Sequence, residues 1–165
     1  MPPKMSLPLL YLGKYTVKEK TAPPGYVLDT GQHDVTLVYA GQEQDVYTQT
    51  LSLDDLAQKA SIRIEKIDQE TGKPLTDATF EIYAAEDVVT ADGTVRAAAG
   101  TLVDTVTTGK GGTAESKLLY LGKYTVKEKT APPGYVLDTG QHDVSLDYTG
   151  QEQKVYTKNL DVDDL

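Results

Sequence analysis

Residues 118–165 repeat residues 9–56 at an offset of 109, with substitutions at only eight of the forty-eight positions. Self-similarity on this scale constrains the architecture before any local pattern does. Glu19 matches Glu128, Tyr26 matches Tyr135, and Asp54-Asp55-Leu56 matches Asp163-Asp164-Leu165. A unit of 109 residues is an ordinary size for one compact domain. The chain therefore divides into a complete unit, 57–165, preceded by the back half of another, 1–56. The leading half has no front half in this sequence and is too small to own a complete core.

Short runs rich in Val, Ile, Thr and Tyr, separated by Gly, Pro and Asp, predict an all-β fold of sandwich type. The expected strands of the complete unit are 60–68, 78–84, 101–108, 118–130, 142–148 and 153–162. The segment 85–100 reads as a surface excursion, either a hairpin or a short helix.

Alternation along these strands puts polar residues where apolar ones belong. Tyr124, Val126 and Glu128 share one face, opposite Lys123, Thr125, Lys127 and Lys129. Ile62, Ile64 and Lys66 share another, opposite Arg63 and Glu65. In the last strand Val155, Thr157 and Asn159 fall together, although Tyr156, Lys158 and Leu160 on the other side make that parity ambiguous. Each residue alone has an ordinary explanation. A lysine near a strand end snorkels to water, a glutamate near a proline faces solvent at an edge, and an asparagine ends a strand. Lys66 and Glu128 together also read as a plain buried ion pair.

Composition removes several classes of function. A net charge of −9 and a pI near 4.6 argue against binding nucleic acid or an anionic membrane. There are no cysteines for disulfides or thiolate metal sites. No apolar run is long enough to span a bilayer, and Met1–Leu10 makes a poor signal peptide. No cofactor and no metal is expected. The cluster Asp161, Asp163, Asp164 lacks the spacing of a calcium loop, and His33 and His142 lack the companions of a nucleophilic triad.

IEKIDQETGKPLTDATFEI (64–82), GKYTVKEKTAPPGY (122–135) and the closing VYTKN (155–159) resemble, in that order, the landmarks of Cna protein B-type domains. One departure is Asp77, where a glycine before Ala-x-Phe is common. The resemblance implies a prealbumin-like β-sandwich on Gram-positive surface proteins and pili, with neighbouring repeats as partners and an extracellular, cell-wall-anchored location. It also implies an intramolecular isopeptide bond, with Lys66 as nucleophile, Asn159 as acceptor and Glu128 as the catalytic acid/base. The chemistry is reasonable on its own terms. Removing a lysine from water disfavours its ammonium form, leaving the amine that can attack. A buried glutamic acid can hydrogen-bond the acceptor carbonyl. Folding holds the groups in contact, as in an intramolecular reaction.

Such a bond would close a loop of about ninety residues and contribute about 4–5 kcal/mol by the loop-entropy relation. It would form once per molecule, so the chain is not expected to be an enzyme in the turnover sense. The expected function is a structural stalk repeat of a surface adhesin or pilus-like protein. The alternative is an adhesive module recognising a host protein or carbohydrate, with 85–100 as its loop. The leading half is expected not to crosslink, because it has no lysine strand and Thr50 stands at the position of Asn159. It is expected to dock by strand addition on the neighbouring domain or on another chain.

Overall fold

The computed structural model describes residues 9–164. Among them there is no helix, and fourteen strands account for the regular structure. In the leading half these are β1 (Gly13–Val17), β2 (Tyr26–Val27) and β3 (His33–Leu37), with β4 (Leu56–Ala57) across the boundary between the two parts. The complete unit contributes β5 (Lys59–Asp68), β6 (Thr79–Ala84), β7 (Val88–Val89), β8 (Val95–Ala97), β9 (Leu102–Thr107), β10 (Thr113–Glu115), β11 (Leu119–Tyr120), β12 (Gly122–Thr130), β13 (His142–Leu146) and β14 (Val155–Asp164).

The complete unit is a two-sheet sandwich. One sheet is antiparallel in the order β13-β12-β6-β9. In the other, β5 is central: β14 runs parallel along its whole length, while β10 and β11 pair antiparallel with different parts of it. The alternating pattern of each strand explains why the sheets face one another. Ala60, Ile62 and Ile64 of β5 meet Phe80 and Ile82 of β6, Tyr124 and Val126 of β12, and Val144 and Leu146 of β13 in one core. Every residue of that core lies between Ala60 and Val162. A buried side chain of this size contributes about 1.5–3 kcal/mol relative to exposure.

Three details differ from the strand expectations. The run 118–130 is two strands in different sheets, β11 and β12, with the chain changing sheets at Leu121. Residues 85–100 contain a small hairpin, β7–β8, and no helix. The short strand β10 was not foreseen, because three residues are too few to show a period.

The leading half forms no sandwich. β1 and β3 pair as an isolated ribbon, and β2 pairs with β4. Strand addition to the neighbouring unit does not occur, as β1 and β3 join neither sheet of the complete unit. Contact is made by the loop around β2, where Leu28 N donates to Gln151 O at 2.9 Å and Ala22 N to Gln151 Oε1 at 2.8 Å. Leu37 at the end of β3 and the flanking Leu10, Leu12 and Tyr39 line an open groove of about 490 Å³.

Candidate functional site: a buried lysine and glutamate

Lys66 continues the inward stripe of Ile62 and Ile64 and is fully buried. Its backbone is fixed on both sides. Lys66 N donates to Gly112 O at 2.8 Å, and Lys66 O accepts from Leu75 N at 2.9 Å. Gly112 has a φ of 71°, and a Cβ there would lie 2.7 Å from Lys66 O and 2.8 Å from the Pro74 Cβ. Only glycine combines that conformation with so close an approach.

Glu128 comes from the facing sheet. It lies opposite Phe80 in the β12–β6 register, immediately before a bulge that resets the pairing at Thr130. Lys66 Nζ and Glu128 Oε1 are 3.3 Å apart, and both side chains have no exposure. The Phe80 ring flanks them, its centroid 5.8 Å from Nζ. Phe80 was visible in the sequence only as an apolar residue of its strand.

The other carboxylate oxygen of Glu128 is held. Oε2 accepts from Asp138 N at 2.7 Å. The Asp138 carboxylate in turn accepts from Gly140 N at 2.8 Å and meets His142 Nε2 at 2.6 Å. Those two hydrogen bonds, the Gly140 amide first, hold the Asp138 carboxyl below its ordinary range. His142 is therefore a structural partner of the loop that orients Glu128. Tyr135, on the same loop, donates to Asp68 Oδ2 at 2.6 Å and so ties the loop to the end of β5. Sequence reasoning missed Asp138 and Gly140, whose tie to Glu128 depends on the fold.

Asn159 is not at this site. In the parallel β14–β5 register it lies opposite Arg63, and both residues are exposed. The residue opposite Lys66 is Val162, which is buried. Two residues before Asn159, on its own face, Thr157 meets Ser61 and Glu115. The core-facing side of β14 is thus the Leu160, Val162 side. Bringing Asn159 opposite Lys66 would require a three-residue slip, and an odd slip turns every side chain to the other face. Leu160 and Val162 would then face outward, and Thr157 and Asp161 inward.

The leading half carries the same local arrangement without a lysine. Glu19 Oε2 accepts from Asp29 N at 2.8 Å, and Asp29 meets His33 Nε2 at 2.6 Å. Asp55 lies beside Glu19. Its carboxyl is held above the ordinary range, first by burial and then by the neighbouring Glu19 carboxylate. The repeat offset makes Asp55 the counterpart of Asp164. Among the described residues no group of three or more His, Cys, Asp or Glu could hold a metal ion, and no helix is long and apolar enough to cross a membrane.

The two sheets of the complete unit thus enclose a lysine–glutamate pair between them. The model for the SpaA prealbumin-like fold domain matches residues 60–161, and the chain belongs to that family, prealbumin-type domains of Gram-positive surface proteins. Over 87 residues, 53% of this chain, it is 32% identical to the trypsin-resistant surface T6 protein of Streptococcus pyogenes serotype M6; the match covers 14% of that protein's length. The Bacillus anthracis TIE protein aligns over 94% of this chain with a TM-score of 0.68 and 28% identity, covering 26% of its own chain. The T6 backbone pilin of serotype M6 Streptococcus pyogenes aligns over 54% of this chain and 16% of its own, with 31% identity and a TM-score of 0.43.

Proposed function

We propose that this chain is a force-carrying stalk segment of a Gram-positive cell-surface or pilus-type protein, whose complete unit is locked by an amide bond from Lys66. The observation that carries the reading is the buried Lys66–Glu128 contact at 3.3 Å. As a charged pair it is a weak source of stability, since desolvation offsets most of the attraction. As a reactive pair it makes sense. Proton transfer from Lys66 to Glu128 removes two buried charges and leaves an amine beside an acid.

The acceptor in this proposal is Asp164 and not Asn159. Asp164 is two residues beyond the buried Val162, which is the register partner of Lys66. Its counterpart in the leading half, Asp55, lies against the counterpart of Glu128. Lys66 Nζ attacks the carboxyl carbon of Asp164, and the new C–N bond forms as a C–O bond breaks. Glu128 passes the amine proton to the departing hydroxyl, which leaves as water. No oxidant is required, unlike a disulfide.

The bond would join the end of β5 to the end of β14 through roughly a hundred residues, a closure of about 4–5 kcal/mol. Tension would then pass between the two neighbouring parallel strands and spare the rest of the sandwich. The intact mass of the purified chain tests this reading. It should fall short of the sequence mass by one water, with a Lys66–Asp164 crosslinked peptide after digestion. Loss of one ammonia would return the acceptor to Asn159, and the full sequence mass in a folded sample would refute the bond.

A further inference from the structure

The segment Thr21–Val35 recurs without change as Thr130–Val144, and the two copies differ in what covers them. In the first copy Ala22 and Val27 are buried, at 6% and 8% exposure. Four contacts hold it to the complete unit. Ala22 N donates to Gln151 Oε1, Leu28 N donates to Gln151 O, Gln58 N donates to Gly25 O, and the Tyr148 hydroxyl donates to Tyr26 O. The seat is itself built: Gln58 is 1% exposed and donates to Thr149 Oγ1, Gly150 O and Gln153 O, shaping the turn that carries Gln151.

In the second copy the counterpart of Ala22, Ala131, is only half-buried, and the counterparts of Val27 and Leu28 are open. Val136 is 73% exposed and Leu137 42%. The backbone of the Pro-Pro-Gly turn is nevertheless the same. Gly25 and Gly134 have φ of 88° and 89°. Tyr26 N reaches Pro23 O at 3.0 Å, and Tyr135 N reaches Pro132 O at 3.1 Å. The loop therefore holds its docking conformation with or without a neighbour, which lowers the ordering cost of association.

We propose that Ala131–Leu137 is a head-to-tail docking surface, and that its occupant is a second copy of the 57–165 unit, seated by its Gln58 and its Thr149–Gln153 turn. The donors offered are the amides of Ala131 and Leu137, the counterparts of Ala22 and Leu28. The acceptors are the side-chain and backbone carbonyls of the incoming Gln151. Val136, like Val27, is the apolar contact. The junction of the stalk is then a repeated, backbone-specified contact and not a loose linker. The inference deepens the stalk reading and rests on it for its purpose, while its geometry does not depend on the crosslink.

The test extends the full chain by a second copy of residues 57–165 directly after Leu165 and follows amide hydrogen exchange. In the unextended chain, Ala22 and Leu28 should exchange slowly and Ala131 and Leu137 fast. In the extended chain Ala131 and Leu137 should slow by about tenfold or more, the effect of a hydrogen bond that opens only with the interface. Replacing the appended copy's Gln151 counterpart by Ala should release Ala131. Fast exchange at Ala131 and Leu137 in the extended chain would overturn the proposal. So would fast exchange at Ala22 and Leu28, because the contact that serves as its template would be missing. Intact mass, read on the same samples, reports the crosslink separately.

Discussion

Lys66 and Glu128 illustrate how two side chains can be unfavourable separately and useful together. Glu128→Ala should leave Lys66 unlinked, so that the full sequence mass returns and the midpoint of thermal unfolding drops. Stability should fall by about 4–5 kcal/mol for the lost closure, before any cavity cost. If the variant still loses water at the normal rate, Glu128 has no part in proton transfer. Asp138 gives a second test at this scale. Its folded-state carboxyl is held below the ordinary range by Gly140 N and then His142. A depressed carboxylate contributes stability that is complete above the unfolded value of about 3.9 and disappears as pH falls through the lower folded value. The chain should therefore lose stability in that acidic window, and Asp138→Asn should flatten the loss. An unchanged acid limb in urea melts of Asp138→Asn would show that the loop does not depend on this group.

Near-identical elements in the two copies take different structures, and the differences have local causes. Residues 155–164 form β14 because β5 offers a full-length parallel edge, whereas their counterparts 46–55 have no such edge and form no strand. Conversely, Tyr26–Val27 pairs with Leu56–Ala57, whereas Tyr135 and Val136 form no strand. The turn before β6 explains the Asp77 departure: its φ is 66°, a conformation glycine adopts without strain. Gly112 is the less forgiving position. Gly112→Ala should cost more than about 2 kcal/mol, from left-handed strain of 1–2 kcal/mol together with the clash against Lys66 O. It should also slow amide formation by shifting β5. A variant with wild-type melting temperature would mean that the β5 end can move away without penalty.

At the scale of the molecule, the leading half retains Glu19 and Asp55, the counterparts of the proposed acid/base and acceptor, but no counterpart of Lys66. Thr50 was expected to disable it; with Asp164 as acceptor, the relevant counterpart is Asp55, which is retained. A 57–114 peptide carries the missing strands and a lysine. Added to the full chain, it should bind the open groove beside β1 and form an amide with Asp55, giving an adduct of the summed masses less one water. Asp55→Ala should abolish the adduct. An adduct that survives this change, or none at all while the 57–165 crosslink forms normally, would show that the half does not assemble the site.

The sequence by itself determined the repeat, the all-β class and the inward faces of β5 and β12, because those depend on a period of two within a single strand. Ile62, Ile64 and Lys66, like Tyr124, Val126 and Glu128, can be assigned without knowing any partner. It did not determine which face of 155–164 is buried, since Tyr156, Lys158 and Leu160 compete with Val155, Thr157 and Asn159. That choice belongs to the parallel register with β5, which puts Val162, not Asn159, opposite Lys66. Nor does sequence distinguish Val27 from Val136, whose neighbours in the chain are the same. One is buried and the other exposed because only one has the 149–153 turn against it. Register, and most of the docking contacts, join residues more than ninety positions apart, and no local pattern encodes them.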